Sequence, residues 1–309
     1  MNGLTKEPLQ AFTPAGEHLR FPVLLDGATI NTGRMFHMTW GHIWVVTPQN
    51  GLFIYDYNGT LKDTTDDRYM FLNSGVETGN LPDNEVYCAV EDYDGHVWVG
   101  TRVGMRVFYN ARNAFNSSNF NAQDVYIQEG IYTQILMENE NVAWIAVDGA
   151  NQKWMATRGS GAFQISADGS EELAHFTVEN SPIYSDYLNS LVIDGSSGEV
   201  LFATDKGLIG YRGEATTGNS NYSQVQVFPN PVKSDYTGNI GISGLMPDSE
   251  IRITDVSGNL VMKATSQGGS YSWDGKNYDG NRVHTGVYLV FASSEDGSEK
   301  MVTKILFLN

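Results

Sequence analysis

Short apolar runs of strand length, each broken by a glycine-containing turn, recur along the whole 309-residue chain. Val86-Tyr-Cys-Ala-Val90 is one such run, and Asp94-Gly95 after it reads as a hairpin turn, because glycine supplies the positive φ that such turns require. His96 to Thr101 then returns as a second strand with Trp98 on its buried face. Gly104 makes another turn, and Met105 to Tyr109 forms a third strand. Further on, Ile251-Arg-Ile-Thr254, Leu260-Val-Met262, Val287 to Phe291 and Lys304 to Leu308 are short runs separated by Ser257-Gly258, Asp274-Gly275, Asp279-Gly280 and Asp296-Gly297. The pattern predicts an all-β chain.

The first two thirds repeat themselves. Gly41 to Leu52, Gly95 to Met105, Asn151 to Ala162 and Glu199 to Leu208 share one arrangement: a tryptophan, a threonine three residues on, and a glycine three or four residues later. The four copies give Trp44-Thr47-Gly51, Trp98-Thr101-Gly104, Trp154-Thr157-Gly161 and Leu201-Thr204-Gly207. Their Trp/Trp/Trp/Leu positions lie 54, 56 and 47 residues apart, close to the length of a four-stranded propeller blade. A sheet of this size buries its faces only against its neighbours, so the tryptophans are expected to pack between blades. Met1-Asn2-Gly3-Leu4 matches the tail of the repeat at Asn50-Gly51-Leu52, which suggests that the chain begins inside a blade and that the ring is truncated. A longer protein or a neighbouring chain would then supply the remainder, and the leader with it.

These repeats resemble the two-component regulator propeller repeat, Asp-x-x-Gly-x-Ile/Val-Trp-Ile/Val-Gly-Thr-x-x-Gly-Leu, which Asp92 to Met105 match closely through Asp92, Gly95, Trp98, Thr101 and Gly104. The resemblance spans roughly residues 1–212 and implies a β-propeller of at least four blades. It says little of function, because the repeat serves sensors, surface proteins and glycan-associated proteins alike.

Residues 213–223 are polar and rich in Gly, Ser, Asn and Thr, and read as a linker. The remaining residues, 224–309, read as an immunoglobulin-like β-sandwich without a disulfide. Within them Pro229-Asn230-Pro231 opens the domain, Asp255 and Gly258 mark a turn, and Trp273-Asp274-Gly275, Gly286, Tyr288 and Lys304 follow in order. The prolines would fix φ and hold an extended entry strand, while Trp273 and Tyr288 would anchor the core. That ordered series resembles the C-terminal sorting domain of the Por (type IX) secretion system of Bacteroidetes. Propeller and tail together resemble the PorZ-like surface proteins of that system.

The resemblance implies a non-enzymatic component of the type IX attachment complex at the cell surface and outer membrane, active in protein secretion. Its propeller would be a protein-interaction scaffold, and its tail an export signal and lipopolysaccharide-binding module. The partners implied are the outer-membrane shuttle and sortase of the secretion machinery, with anionic lipopolysaccharide or another surface glycan. The alternative is exported surface cargo, a glycan-binding or glycan-processing propeller whose sorting domain is cleaved. An extracytoplasmic sensor of a hybrid two-component system ranks below both, because such sensors continue into a membrane helix and kinase whereas this sequence ends at Asn309.

Composition narrows the picture. Glycine, at 33 residues, is about a tenth of the chain against the usual ~7%, as many turns require. The net charge of −17 excludes nucleic acid, since no basic field exists to draw phosphates. Residues 1–222 carry 12 basic and 27 acidic groups, and 223–309 carry 7 and 9, so the acidity belongs to the propeller. Cys88 is the lone cysteine and excludes an internal disulfide. The N-terminus lacks a signal-peptide pattern, which alone would favour the cytoplasm, but the C-terminal series outweighs it.

Catalysis is not expected. The sequence has no His-Glu-x-x-His, no Gly-x-Ser-x-Gly, no phosphate loop and no cysteine pair for zinc. No cofactor is expected either, and His37 and His42 are too few for a metal site. Glu91 to Asp94 could suggest calcium, but Asp94 falls on Ala150 in the third copy. Asp92 does recur as Asp148 and Asp194, where an aspartate bonding its own turn is the simpler account.

Overall fold

The computed structural model describes residues 9–21 and 31–308. Met1–Leu4, on which the expectation of a start within a blade rests, lie outside them. Among the described residues the chain is all-β apart from one short 3-10 turn, Ala111–Asn116, and the chain divides into two compact units. One comprises Met1–Val147, Lys153–Leu191 and Phe202–Ile209; the other comprises Asp148–Gln152, Val192–Leu201 and Gly210–Asn309. No helix among the described residues is long and apolar enough to cross a membrane.

The repeats fold into successive antiparallel sheets with strands in chain order. The first has strands Met35–His37, Ile43–Val46, Leu52–Asp56 and Arg68–Leu72. The second has Val86–Glu91, Val97–Thr101 and Gly104–Phe108, with Gln123 bridging to Val107 where a fourth strand would lie. The third has Val142–Val147, Lys153–Thr157, Ala162–Ile165 and Glu172–Phe176, and the fourth Leu188–Asp194, Glu199–Thr204 and Gly207–Arg212. Trp44, Trp98, Trp154 and Leu201 each fall on the second strand of their sheet. A hairpin of Leu9–Phe12 and His18–Phe21 packs Leu9 and Phe21 on Val45, Phe53 and Tyr55 of the first blade.

The tail is a sandwich. One sheet pairs Gln226–Phe228, Ile240–Ser243 and Ser270–Trp273; the other runs Leu260–Thr265, Glu250–Asp255, Gly286–Ser293, Lys300–Phe307. Alternating residues of both sheets, among them Ile240, Ile242, Ile251, Ile253, Val290 and Ile305, form its core. Two expectations need correction here. The strand before the prolines ends at Phe228, so the prolines follow the entry strand and do not lie within it.

The supposed linker is also knit into the second unit. The Gly213 and Thr217 N–H groups donate to the Gly198 and Gly195 carbonyls at 2.9 and 2.7 Å, and Asn219 N–H donates to the Leu245 carbonyl at 2.8 Å. Tyr222 is buried in the sandwich core with its hydroxyl 2.8 Å from Ser249 Oγ. A polar composition reads as solvent-facing, but these polar groups are satisfied by backbone partners.

Candidate functional site

The repeat residues form one local device copied four times. At the end of the second strand the threonine hydroxyl donates to the carbonyl of the turn glycine: Thr47 to Gly51 at 3.0 Å, Thr101 to Gly104 at 2.8 Å, Thr157 to Gly161 at 2.7 Å and Thr204 to Gly207 at 2.9 Å. Glycine is required where the next chain segment presses close. Gly161 has φ +80, and a Cβ there would lie 2.1 Å from the Phe176 carbonyl oxygen. Gly161→Ala is therefore expected to cost about 2 kcal/mol or more, because backbone must move as well as φ strain. Chemical denaturation checks it.

At the other end of the strand the aspartates hold the hairpin turn. Asp92 Oδ1 accepts the Asp94 and His96 N–H groups at 3.0 and 2.9 Å, and Asp148 does the same for Ala150 and Gln152 at 2.9 and 3.0 Å. Asp194 accepts Ser196 N–H at 3.0 Å. Gly95, between these donors, has φ +78.

The tryptophans are fully buried, and each meets the following blade. Trp44 packs edge-on against Phe108 at 5.3 Å, and Trp154 lies 6.1 Å from Phe202. Trp98 meets a charge: the Lys153 ammonium lies 4.8 Å from the ring centroid. Lys153 is 0% exposed and stands where the other copies have Ile43, Val97 and Val200. Its ammonium lies 3.0 Å from Asp92 Oδ2, which also accepts the Trp98 indole N–H at 2.8 Å. Sequence reasoning missed this lysine, although a charge at a position that is apolar in every other copy was a signal for it.

Burial alone would raise the Asp92 carboxyl, but the Trp98 N–H, Lys153 and the His96 backbone N–H outweigh burial and hold it below its ordinary value. A carboxylate depressed in the folded state stabilises above its unfolded pKa of about 3.9 and loses that contribution as the pH falls through the folded value. The stability gap between the native chain and Asp92→Asn should thus be constant from neutral pH to about 4 and narrow below it. Thermal unfolding across that range measures it.

Asp92, Asp94 and His96 place ligand atoms within 4.8 Å of one another, and no other such group occurs among the described residues. Asp92 Oδ2 already faces an ammonium, so this cluster is poorly suited to a cation. His42 is buried, its Nε2 3.7 Å from Asp56 Oδ2, and burial foremost lowers its pKa; His37 is exposed. Cys88 is buried, and burial pushes its thiol up to about 12, which makes it a poor nucleophile.

In the tail the structure brings together residues far apart in sequence. The Asn230 side chain clasps the last strand: its Nδ2 donates to the Lys304 carbonyl at 2.9 Å and its Oδ1 accepts Leu306 N–H at 3.0 Å. Val232 N–H and carbonyl continue the contact to Leu306 and Leu308 at 2.8 and 2.9 Å. Pro229 and Pro231 flank the clasp. The Lys304 side chain is exposed, so its backbone is what the clasp uses. Trp273, Tyr288 and Phe307 form an aromatic trio with centroids 5.4–6.2 Å apart. Trp273 Nε1 donates to the Lys276 carbonyl at 2.9 Å and the Tyr288 hydroxyl to the His284 carbonyl at 3.0 Å. Asp274 and Asp255 cap turns at Lys276 and Ser257, where Gly275 and Gly258 have positive φ, and Gly286 opens the following strand.

Comparison with known proteins agrees with both halves of the fold. Residues 80–102 match the two component regulator propeller family, and residues 233–298 match the FlgD Ig-like domain family. No curated protein matches the sequence. Among solved structures the chain is similar to PorZ, an essential bacterial surface component of the type IX secretion system of Porphyromonas gingivalis, with a TM-score of 0.64 and 28% identity. That likeness covers 96% of this chain and 41% of PorZ, so the chain spans about two fifths of that protein's length. The extracellular domain described as that of a hybrid two component system, BT4673 of B. thetaiotaomicron, gives a TM-score of 0.40 at 15% identity, over 92% of this chain and 37% of that one.

Proposed function

We propose that this protein is a non-enzymatic cell-surface component of type IX secretion, with the propeller as an interaction scaffold and the tail as an export signal that also binds lipopolysaccharide. The observation that carries the reading is the PorZ likeness, which runs through 96% of this chain and so includes the propeller repeats and the sandwich together. The Asn230 clasp supports it, since it ties the Pro-Asn-Pro entry to the final strand, the two ends of the sorting-domain series. The tail's near-neutral charge, beside an acidic propeller, is the better surface for an anionic glycolipid.

Deleting the gene in its native host and following surface attachment of other type IX cargo tests the assignment. Loss of attachment, restored by the full chain but not by Asn230→Ala with Lys304→Pro, is the expected result; normal attachment without the gene overturns it. Mass spectrometry of the exported protein separates machinery from cargo. Retained Lys304–Asn309 fits the machinery reading, and loss of the residues beyond about 223 fits cleaved cargo.

A further inference from the structure

A concavity of about 350 Å³ in the first unit, lined by Thr39, Trp40, Glu91, Tyr93, Tyr109 and Arg112 among others, forms a groove at the turns of the first two blades. Its size falls within the roughly 300–1,000 Å³ of small-molecule sites. We propose that this groove binds a neutral saccharide chain through stacking on Tyr93 and Tyr109.

Trp40 packs against the core of the first blades, whereas Tyr93 and Tyr109 are exposed. Aligned on Gly41 and Gly95, Thr39-Trp40 and Tyr93-Asp94 are the turn tips of blades one and two, and the third blade makes the equivalent turn with Gly149-Ala150. Tyr93 is 62% and Tyr109 40% exposed, so large apolar planes face the groove at a cost in hydration that the turn does not demand. Tyr109 is also held in place. The Tyr109 ring meets His96 edge-on at 5.0 Å, and Trp40 meets His42 at 5.9 Å, itself braced by Phe115 at 5.3 Å. Fixed aromatic planes lose little entropy on binding and suit the apolar C–H face of a pyranose ring.

The polar rim matches hydroxyl groups, which both donate and accept. The 3-10 turn after the second blade brings Arg112, whose guanidinium lies 5.8 Å from the Trp40 ring centroid, to the groove as a donor, and Asp94 lines the groove as an acceptor. Glu91 is already committed: it accepts the Thr39 N–H at 2.6 Å and the Thr39 hydroxyl, which joins the two turns into one rigid wall. Two carboxylates against one guanidinium, in a chain of net charge −17, disfavour an acidic glycan here.

Isothermal titration with neutral tetrasaccharides built on glucose, mannose, galactose and N-acetylglucosamine, beside tetragalacturonate and a basic decapeptide, tests the site. At least one neutral sugar should bind. Tyr93→Ala and Tyr109→Ala should each weaken it about tenfold, the worth of one stacking contact. Tyr126→Ala, at a ring 59% exposed outside the groove, should leave it unchanged. Both groove tyrosines are exposed enough to lose without unfolding, which thermal midpoints would verify. Failure of every neutral sugar, binding of the galacturonate or peptide alone, or affinity indifferent to both groove variants would overturn the proposal. No secretion phenotype enters this measurement, so either reading can fail without the other.

Discussion

Asp92→Ala is expected to destabilise the first unit by about 3–5 kcal/mol, because it removes the carboxylate 3.0 Å from a buried ammonium. Lys153 has no route to solvent: it is fully buried, under the Trp98 ring and bonded to the Ala167 carbonyl as well as to Asp92. The same substitution removes the acceptor for the Trp98 indole and for two turn N–H groups. Lys153→Met should cost less. It keeps the stem volume, and Asp92 retains its bonds from Trp98, Asp94 and His96. Urea unfolding of both single variants and the double variant gives the coupling, expected to exceed about 1 kcal/mol for groups in direct contact. A cost below about 1 kcal/mol for Asp92→Ala would mean that water reaches the ammonium, contrary to its burial.

The contrast between Asp92 and Lys153 shows which parts of this molecule could be read from sequence. Thr47, Thr101, Thr157 and Thr204 recur because each bonds a glycine three or four residues away, and a local bond imposes a local spacing. The turn aspartates recur for the same reason. Lys153 finds its partner 61 residues earlier, on another blade, so no spacing within one repeat encodes it. Asn230 is similar: its residue type was visible in the Pro-Asn-Pro series, but its partners at Lys304 and Leu306 lie 74 and 76 residues on. The groove also escaped notice. It is assembled from two turn tips and a 3-10 turn, each of which reads alone as ordinary loop. Residues 213–223 misled for the opposite reason, since composition reports polarity and not whether that polarity is satisfied.

Truncating Trp154 and Leu201, which occupy the same repeat position, should give very different results. Trp154→Ala is expected to cost about 3–5 kcal/mol, the range for removing a fully buried large aromatic side chain. Trp154 is 1% exposed and packs against Phe176 at 5.9 Å and Phe202 at 6.1 Å, the second of these on the following blade. Leu201 is 39% exposed, and Leu201→Ala should cost less than about 1 kcal/mol, because much of its surface stays in contact with water in either variant. Guanidinium unfolding of both variants under one set of conditions measures the difference. The comparison is informative in either direction, because repeat position is held fixed while side chain and cover both differ. A Leu201→Ala cost as large as that of Trp154→Ala would require the Leu201 face to be covered in solution, and the dependence of that cost on protein concentration would then say whether a second copy supplies the cover.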